Sequence, residues 1–381
     1  MPSTESGNLD AGMNDGSGDA GERRSPKSAH RWPQTIRMAL PAVRLAYLDL
    51  SHWIMLSKAM AGHPDGDRYE PVLAACLSAS TTGQVLFPLS DSTFAEVAKI
   101  GTYRQRRHLR EVMEALSNYF VVMSRPDISA HEIECLLDDV IGPSRAPVNT
   151  MDYLDRGVAR AFGMAGGFCV YDEHGEDVTA SARSSFSAGP DAFDAALAAA
   201  DLQLQRSVLD GPANTAEEQE LSSLGWRPGG SAHIAEQRRR QEAGQALVFD
   251  GDPRWRRQRI RDVTAAREIL IELDGTLSRS LEDRGATFED LGTTIGERRE
   301  MFDSLPSFDV AVTLKASYHR DPNHRWTVND IYDIDAMGSV VPYCDFVVSD
   351  REVVSHIKRA HLDERLGTKV IATLDELADA L

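Results

Sequence analysis

Apolar positions follow two different periods along this chain. Near both ends, short apolar runs alternate with stretches whose apolar residues recur every three or four positions. Between them the helical period dominates. The short runs are Arg44–Leu50 (RLAYLDL), Val85–Leu89 (VLFPL), Tyr119–Met123 (YFVVM), Phe346–Val348 (FVV) and Thr368–Ala372 (TKVIA). They are too short for helices and rich in Val, Leu, Phe and Tyr, so they are predicted as buried strands. The helically spaced stretches that follow include HWIMLSKAMAG, opened by a Ser51 cap, and Tyr69–Ala79. TFAEVAKIG, residues 103–118, SFDVAVTLKASYHR and REVVSHIKRAHL complete the set. Strand and helix in alternation predict an α/β fold, a parallel sheet flanked by helices.

The middle of the chain interrupts this pattern. From Arg125 to about Ser304, residues 129–141, 191–209, 231–247 and 257–282 carry helical spacing, around a Gly/Ser-rich interval at 163–190 and one short strand candidate, GFCVY. The organisation expected is a disordered tail over 1–40, a first α/β part over 41–124, a mainly helical insertion over 125–304 and a second α/β part over 305–381. The tail assignment rests on Met1 to Lys27, which has almost no apolar content and no period.

Composition narrows the function classes. The 381 residues carry a net charge of −18, which argues against wholesale electrostatic wrapping of nucleic acid and leaves room only for a local basic track. No apolar run approaches the roughly 20 residues of a membrane span, and the N-terminal stretch lacks the apolar core of a secretory leader, so a cytoplasmic protein with no membrane partner is expected. The four cysteines lie far apart, as buried reduced thiols do.

The candidate chemistry is carboxylate chemistry. Trp326–Arg351 holds Asp330, Asp333, Asp335, Asp345 and Asp350, read as acids at a helix start, a turn through Pro342, and a strand ending in Ser349-Asp350. Asp49 ends the first strand, and Glu96 lies in the first turns after the second. Acids at helix starts and at carboxyl ends of parallel strands share one crevice. Such a cluster is costly without a shared cation. Each acid alone also fits an ordinary cap or dipole-compensating role.

In order and spacing, YLDLSHWIMLSKA, LFPLSDSTFAEVAK and NDIYDIDAMGSVVPYCDFVVSDREV resemble the PIN-domain family of metal-dependent nucleases, over residues 44–124 and 305–381. The resemblance implies a PIN-like sheet and hydrolysis of RNA phosphodiesters with Mg²⁺ or Mn²⁺. Carried over by position, Asp49, Glu96 and Asp333 would be the metal triad and Asp350 the fourth acid, with Asp330 and Asp335 as substitutes for Asp333 and Asp345 as a turn cap. A single-stranded RNA substrate follows. The oligomeric state stays open, a homodimer being one candidate since small folds of this family often pair; no regulatory protein partner can be named. The alternative is a catalytically silent PIN-like binding or regulatory module.

Substrate contacts are expected from Arg104 and Arg107, just after Glu96, and from His52, with His319 and His324 as further candidates. A second basic track is residues 233–261, with eight arginines and Trp255, against the plainer reading of a solvated, ion-paired helix face. ILIELDGTLSRS, residues 269–280, resembles a phosphatase nucleophile motif. Glu272 stands at the nucleophile position, though, and the phosphatase reading requires that segment to be a strand.

Overall fold

A computed structural model describes residues 30–37, 43–146, 150–163, 169–223 and 229–381. Its centre is a four-stranded parallel sheet. The strands are β1 (Arg44–Leu48), β2 (Val85–Leu86), β3 (Phe120–Val122), β4 (Leu154–Arg156), β5 (Phe346–Val348) and β6 (Lys369–Ile371). The sheet order is β2-β1-β5-β6. Leu89 bridges in parallel to Val121, which sets β3 beside β2, and β4 pairs antiparallel with β3 at the rim. The chain therefore leaves β1 toward β2 and β3, then returns to the other side of β1 with β5 and β6. The order reverses between β1 and β5.

The burial of β1 explains its apolar run. Leu45 and Tyr47 enter one core, beneath helices Pro306–Arg320, Val328–Val340 and Arg351–Arg359. Ala46 and Leu48 enter the other, beneath Leu50–Met60, Glu70–Thr81 and Tyr103–Ser117. A strand covered on both faces needs apolar residues at successive positions, not alternate ones. Asp345 fixes the register: its carboxylate accepts from the Leu45 amide at 2.8 Å, and its own amide donates to the Leu45 carbonyl at 3.0 Å. The role is structural, as expected, but it ties two strands together instead of capping the turn.

The helices start where local caps allow. Thr327 and Asp330 form a reciprocal capping box on Val328–Val340, Ser90 and Thr93 do so on Asp91–Val97, and Pro306 opens Pro306–Arg320. Asp49, not Ser51, caps Leu50–Met60, because its carboxylate reaches the Leu50 amide at 2.7 Å.

Three boundaries differ from the sequence reading. Residues 30–37, expected in a disordered tail, belong to the fold: Ile36–Arg37 pairs with Met151–Asp152, and His30 bonds Asp309. The tail up to residue 29 lies outside the described residues. The insertion is mostly helical as expected, yet it lends β4 to the sheet rim, and helix Arg125–Val140 packs into the sheet core through Ile128. In GFCVY, Gly167 and Phe168 lie outside the described residues, and Tyr171 makes only an isolated bridge to Asp177. The phosphatase-like segment is helical, a π-helical run Glu268–Leu273 followed by Asp274–Arg284, and this removes the strand that reading required. Among the described residues no helix is long and apolar enough to cross a membrane.

Candidate active site

Four acids stand at the carboxyl edge of the sheet, around the point where the strand order reverses. In open α/β sheets that reversal opens a crevice, because adjoining connections leave toward opposite faces. Leu48 lies opposite Val348, and the Asp49 amide donates to the Val348 carbonyl at 2.9 Å, so Asp49 emerges from β1 beside the end of β5. One residue beyond Ser349, Asp350 caps Arg351–Arg359 by accepting from the amides of Glu352 (2.7 Å) and Val353 (3.0 Å). Glu96 comes from the helix after β2, and Asp333 from the second turn of Val328–Val340.

These acids feel one another strongly. Burial, then the charges of Asp49, Asp350 and Glu96, push the Asp333 carboxyl up to about 9. Burial and Asp49 push Glu96 up to about 7, against the opposing charge of Lys99. Asp49 is also raised, by burial first and by Asp350, while His52 and the Leu50 amide oppose the shift. None of the four makes an ion pair among the described residues.

That pattern separates Asp333 from its neighbours. Asp330 is engaged in the helix cap, accepting from the Thr327 amide, and in a hydrogen bond with His324 at 3.2 Å. Asp335 is clamped between Arg125 (2.8 Å) and Arg238 (2.9 Å), which hold its carboxyl below the usual range against the penalty of burial. Of these three half-buried acids on one helix, Asp333 alone makes no ion pair, to arginine or to histidine, among the described residues.

The expected substrate contacts fare unevenly. His52 does sit at the site: burial lowers its pKa, the Asp49 charge opposes that, and its Nδ1 lies 3.3 Å from Ser51 Oγ. Arg104 and Arg107 are exposed on the first turns of Tyr103–Ser117, and Arg107 pairs with Glu111 at 3.7 Å; neither contributes to the charge balance of the acids. His319 is buried and bonded to Glu242 at 2.8 Å, a structural role. The basic track is mostly internal ion pairs: Arg238 to Glu272 and Asp335, Arg239 and Arg240 to Glu236, Arg254 to Asp252, Arg256 to Asp250, Arg259 to Asp262 and Arg261 to Asp303 and Asp309. The plainer reading of that stretch is the one the structure bears out.

Two residues at the site escaped the sequence reading. Lys99 places Nζ 4.0 Å from the Tyr332 ring centroid and lies in the fields of Glu96 and Asp333. Its only signal was the three-residue spacing from Glu96 on a helix. Tyr318, twelve residues before Asp330 in the sequence, has its hydroxyl pushed up by burial and by Asp333, Asp330 and Asp350. Nothing local marked it.

No protein-family model, curated protein or solved structure matches the chain.

The donor set itself suits a hard divalent cation: carboxylate oxygens, half-buried on Asp49, Glu96 and Asp333 and exposed on Asp350, that repel one another and lack arginine partners among the described residues. Ser349 Oγ, wholly buried beside Asp350, finds no hydrogen-bond partner among the described residues. As they stand, no three His, Cys, Asp or Glu side chains among the described residues are grouped as a formed metal site. The four acids share a field more than a contact.

A stability measurement reads that field. Glu96 and Asp333 hold their protons to higher pH in the folded chain than in the unfolded one. Between about pH 5 and about pH 9 the unfolded state therefore binds fewer protons, and stability falls as pH rises. Thermal melts without divalent metal should show Tm dropping across this window. Adding on the order of 10 mM Mg²⁺ should flatten the drop, because the cation binds the deprotonated carboxylates of the folded state only. A metal-free Tm that holds level or rises from about pH 5 to about pH 9 would contradict the coupling.

Proposed function

We propose that the chain is a PIN-like, metal-dependent endoribonuclease that hydrolyses phosphodiesters of single-stranded RNA. The observation that carries this reading is that four acids without ion pairs among the described residues, Asp49, Glu96, Asp333 and Asp350, come from four separate segments of the chain into one shared electrostatic field. They do so at the carboxyl edge of a parallel sheet, where its order reverses. Ordinary capping explains Asp49 and Asp350 one at a time. It does not explain why Asp333 is half-buried in the field of three other carboxylates with no ion pair among the described residues.

Asp49, Glu96, Asp333 and Asp350 would hold Mg²⁺ or Mn²⁺, which keeps several of its own waters and takes few protein carboxylates. When bound, the cation supplies an activated water and steadies the leaving oxygen of an in-line displacement. The chain's own residues do the positioning. Backbone amides at two helix starts fix the orientation of Asp49 and Asp350. Lys99 sets a positive charge opposite Glu96 and Asp333. His52, at the start of Leu50–Met60, offers an imidazole beside Asp49 to a phosphate oxygen.

A catalytically silent binding module is the second reading. It is favoured by the lack of a formed three-ligand group among the described residues. Isothermal titration of Mn²⁺ into the chain, with cleavage of single-stranded RNA assayed on the same samples, separates the two. The nuclease reading expects saturable Mn²⁺ binding and cleavage that EDTA stops. RNA binding without cleavage at saturating Mn²⁺ would establish the silent module instead.

A further inference from the structure

A wide groove of about 1790 Å³ opens between helices Pro306–Arg320 and Arg351–Arg359, the second of which is capped by Asp350. None of the four acids lines it, and its link to them runs through Tyr318, whose hydroxyl lies in the fields of Asp333, Asp330 and Asp350. Tyr318 and His324 both line it, stacked with ring centroids 4.6 Å apart, and His324 bonds Asp330. Arg351, also in the lining, directly follows Asp350.

The cations along this groove fall into two groups. At its far end Arg261, Arg299 and Arg365 are neutralised by Asp262, Asp303 and Asp309. Arg320, Arg351 and Arg359 are exposed and form no ion pair among the described residues. Of the other acids that line the groove, Glu352 and Glu364 lie against His356 (3.6 Å) and His361 (3.3 Å), Asp321 accepts from the Asn323 amide (2.8 Å), and Glu300 makes no ion pair among the described residues; none of them pairs with these three arginines. Arg351, Ser355 and Arg359 stand at four-residue intervals on one helix and all line the groove. The first and last are about 12 Å apart along the axis, enough for more than one phosphate of an extended strand.

On a chain of net charge −18, most of the surface repels a polyanion, and unpaired guanidiniums mark where one is accepted. We infer that this groove is the path of the RNA strand to the four acids, with Arg320 and Arg351 holding backbone phosphates at the site and Arg359 holding one farther along. This rests on the nuclease reading above. The groove reads backbone charge, and the His324–Tyr318 stack presents a flat polar ring at the entry to the site.

The test uses the full chain carrying Asp49→Asn as a background that does not cleave. Fluorescence anisotropy with 5′-labelled oligouridylates of two and twelve nucleotides gives Kd as a function of salt. Adding Arg351→Gln and Arg359→Gln should raise Kd for the longer strand about tenfold or more and lower the salt slope by about 1.4, some 0.7 for each lost phosphate contact. The two-nucleotide strand, whose single internal phosphate cannot reach both arginines, should lose less. The same loss of two charges at Arg183 and Arg279, exposed on the insertion, is the comparison. Equal weakening by both pairs, or none by the groove pair, overturns the groove. Failure of the Asp49→Asn chain to bind either strand overturns it as well. Mn²⁺-dependent cleavage of the twelve-nucleotide strand by the wild-type chain then reports separately whether the nuclease reading stands.

Discussion

Asparagine in place of Asp333 or Asp49 is expected to abolish Mn²⁺-dependent RNA cleavage, by about a thousandfold or more, while the chain stays folded. A loss of that size is about 4 kcal/mol of transition-state stabilisation, within what carboxylates holding a catalytic cation supply. Both substitutions are nearly isosteric. At position 49, asparagine still caps Leu50–Met60, since its side-chain oxygen can accept from the Leu50 amide. At position 333, asparagine removes a half-buried carboxyl that Asp49, Asp350 and Glu96 all oppose, so the metal-free variant should melt higher than wild type at about pH 8. Gain of stability with loss of cleavage is the signature of a site that stores repulsion for a cation. Asp330→Asn is the contrast: it weakens a capping box, at about 1 kcal/mol, without removing a ligand. Steady-state cleavage and thermal melts on the three variants decide the matter, and cleavage persisting in both Asp49→Asn and Asp333→Asn would sink the assignment.

The largest stability effect is expected at Arg125. Its guanidinium is 4% exposed and joins Asp335 at 2.8 Å to Glu268, which is 1% exposed. Lys315 Nζ meets the other oxygen of Glu268 at 2.7 Å, and Arg238 bridges Asp335 to Glu272. The π-helical run Glu268–Leu273 carries both glutamates of this network. Arg125→Met should cost about 3–5 kcal/mol, because it leaves buried carboxylates short of a counter-charge, not because the intact pair is strongly favourable in itself. Arg125→Lys should recover only part of that, since one ammonium cannot reproduce a planar fork across two carboxylates. Urea denaturation measures both, and a cost under about 1 kcal/mol for the methionine variant would show the network to be dispensable. Asp335 lies two residues from Asp333 on the same helix, and Gly338, one turn further on, leaves no room there for a methyl group: a Cβ would stand 2.5 Å from Arg125 Cδ. The arginine thus packs directly against the helix that carries the acid.

Much of this was legible in the sequence, for local reasons. The apolar runs at 44–50, 85–89, 119–123, 346–348 and 368–372 each hold a strand or part of one, because a strand buried on both faces cannot alternate. Acids that follow such runs fall at the crevice, because a parallel strand must hand over to a helix there. That is how Asp49 and Asp350 could be picked from the chain, and why Asp345 could be set aside as structural.

What only the tertiary structure decided concerns charge. Nothing local distinguishes Asp333 from Asp335; the distinction lies in Arg125 and Arg238, which are 210 and 97 positions away from Asp335 in the chain. In the sequence the arginines of 233–261 fit a substrate track or an ion-paired helix face, and their partners at Glu236, Glu272, Asp303 and Asp309 decide for ion pairs. Residues 30–37 read as tail because their stabilising contacts, with Met151–Asp152 and Asp309, are distant in sequence. Hydrophobic periodicity is a short-range property, and the sequence carries it. Whether a charge is neutralised, exposed or confronted with its own kind depends on which distant segments packing brings together, and folding alone settles that.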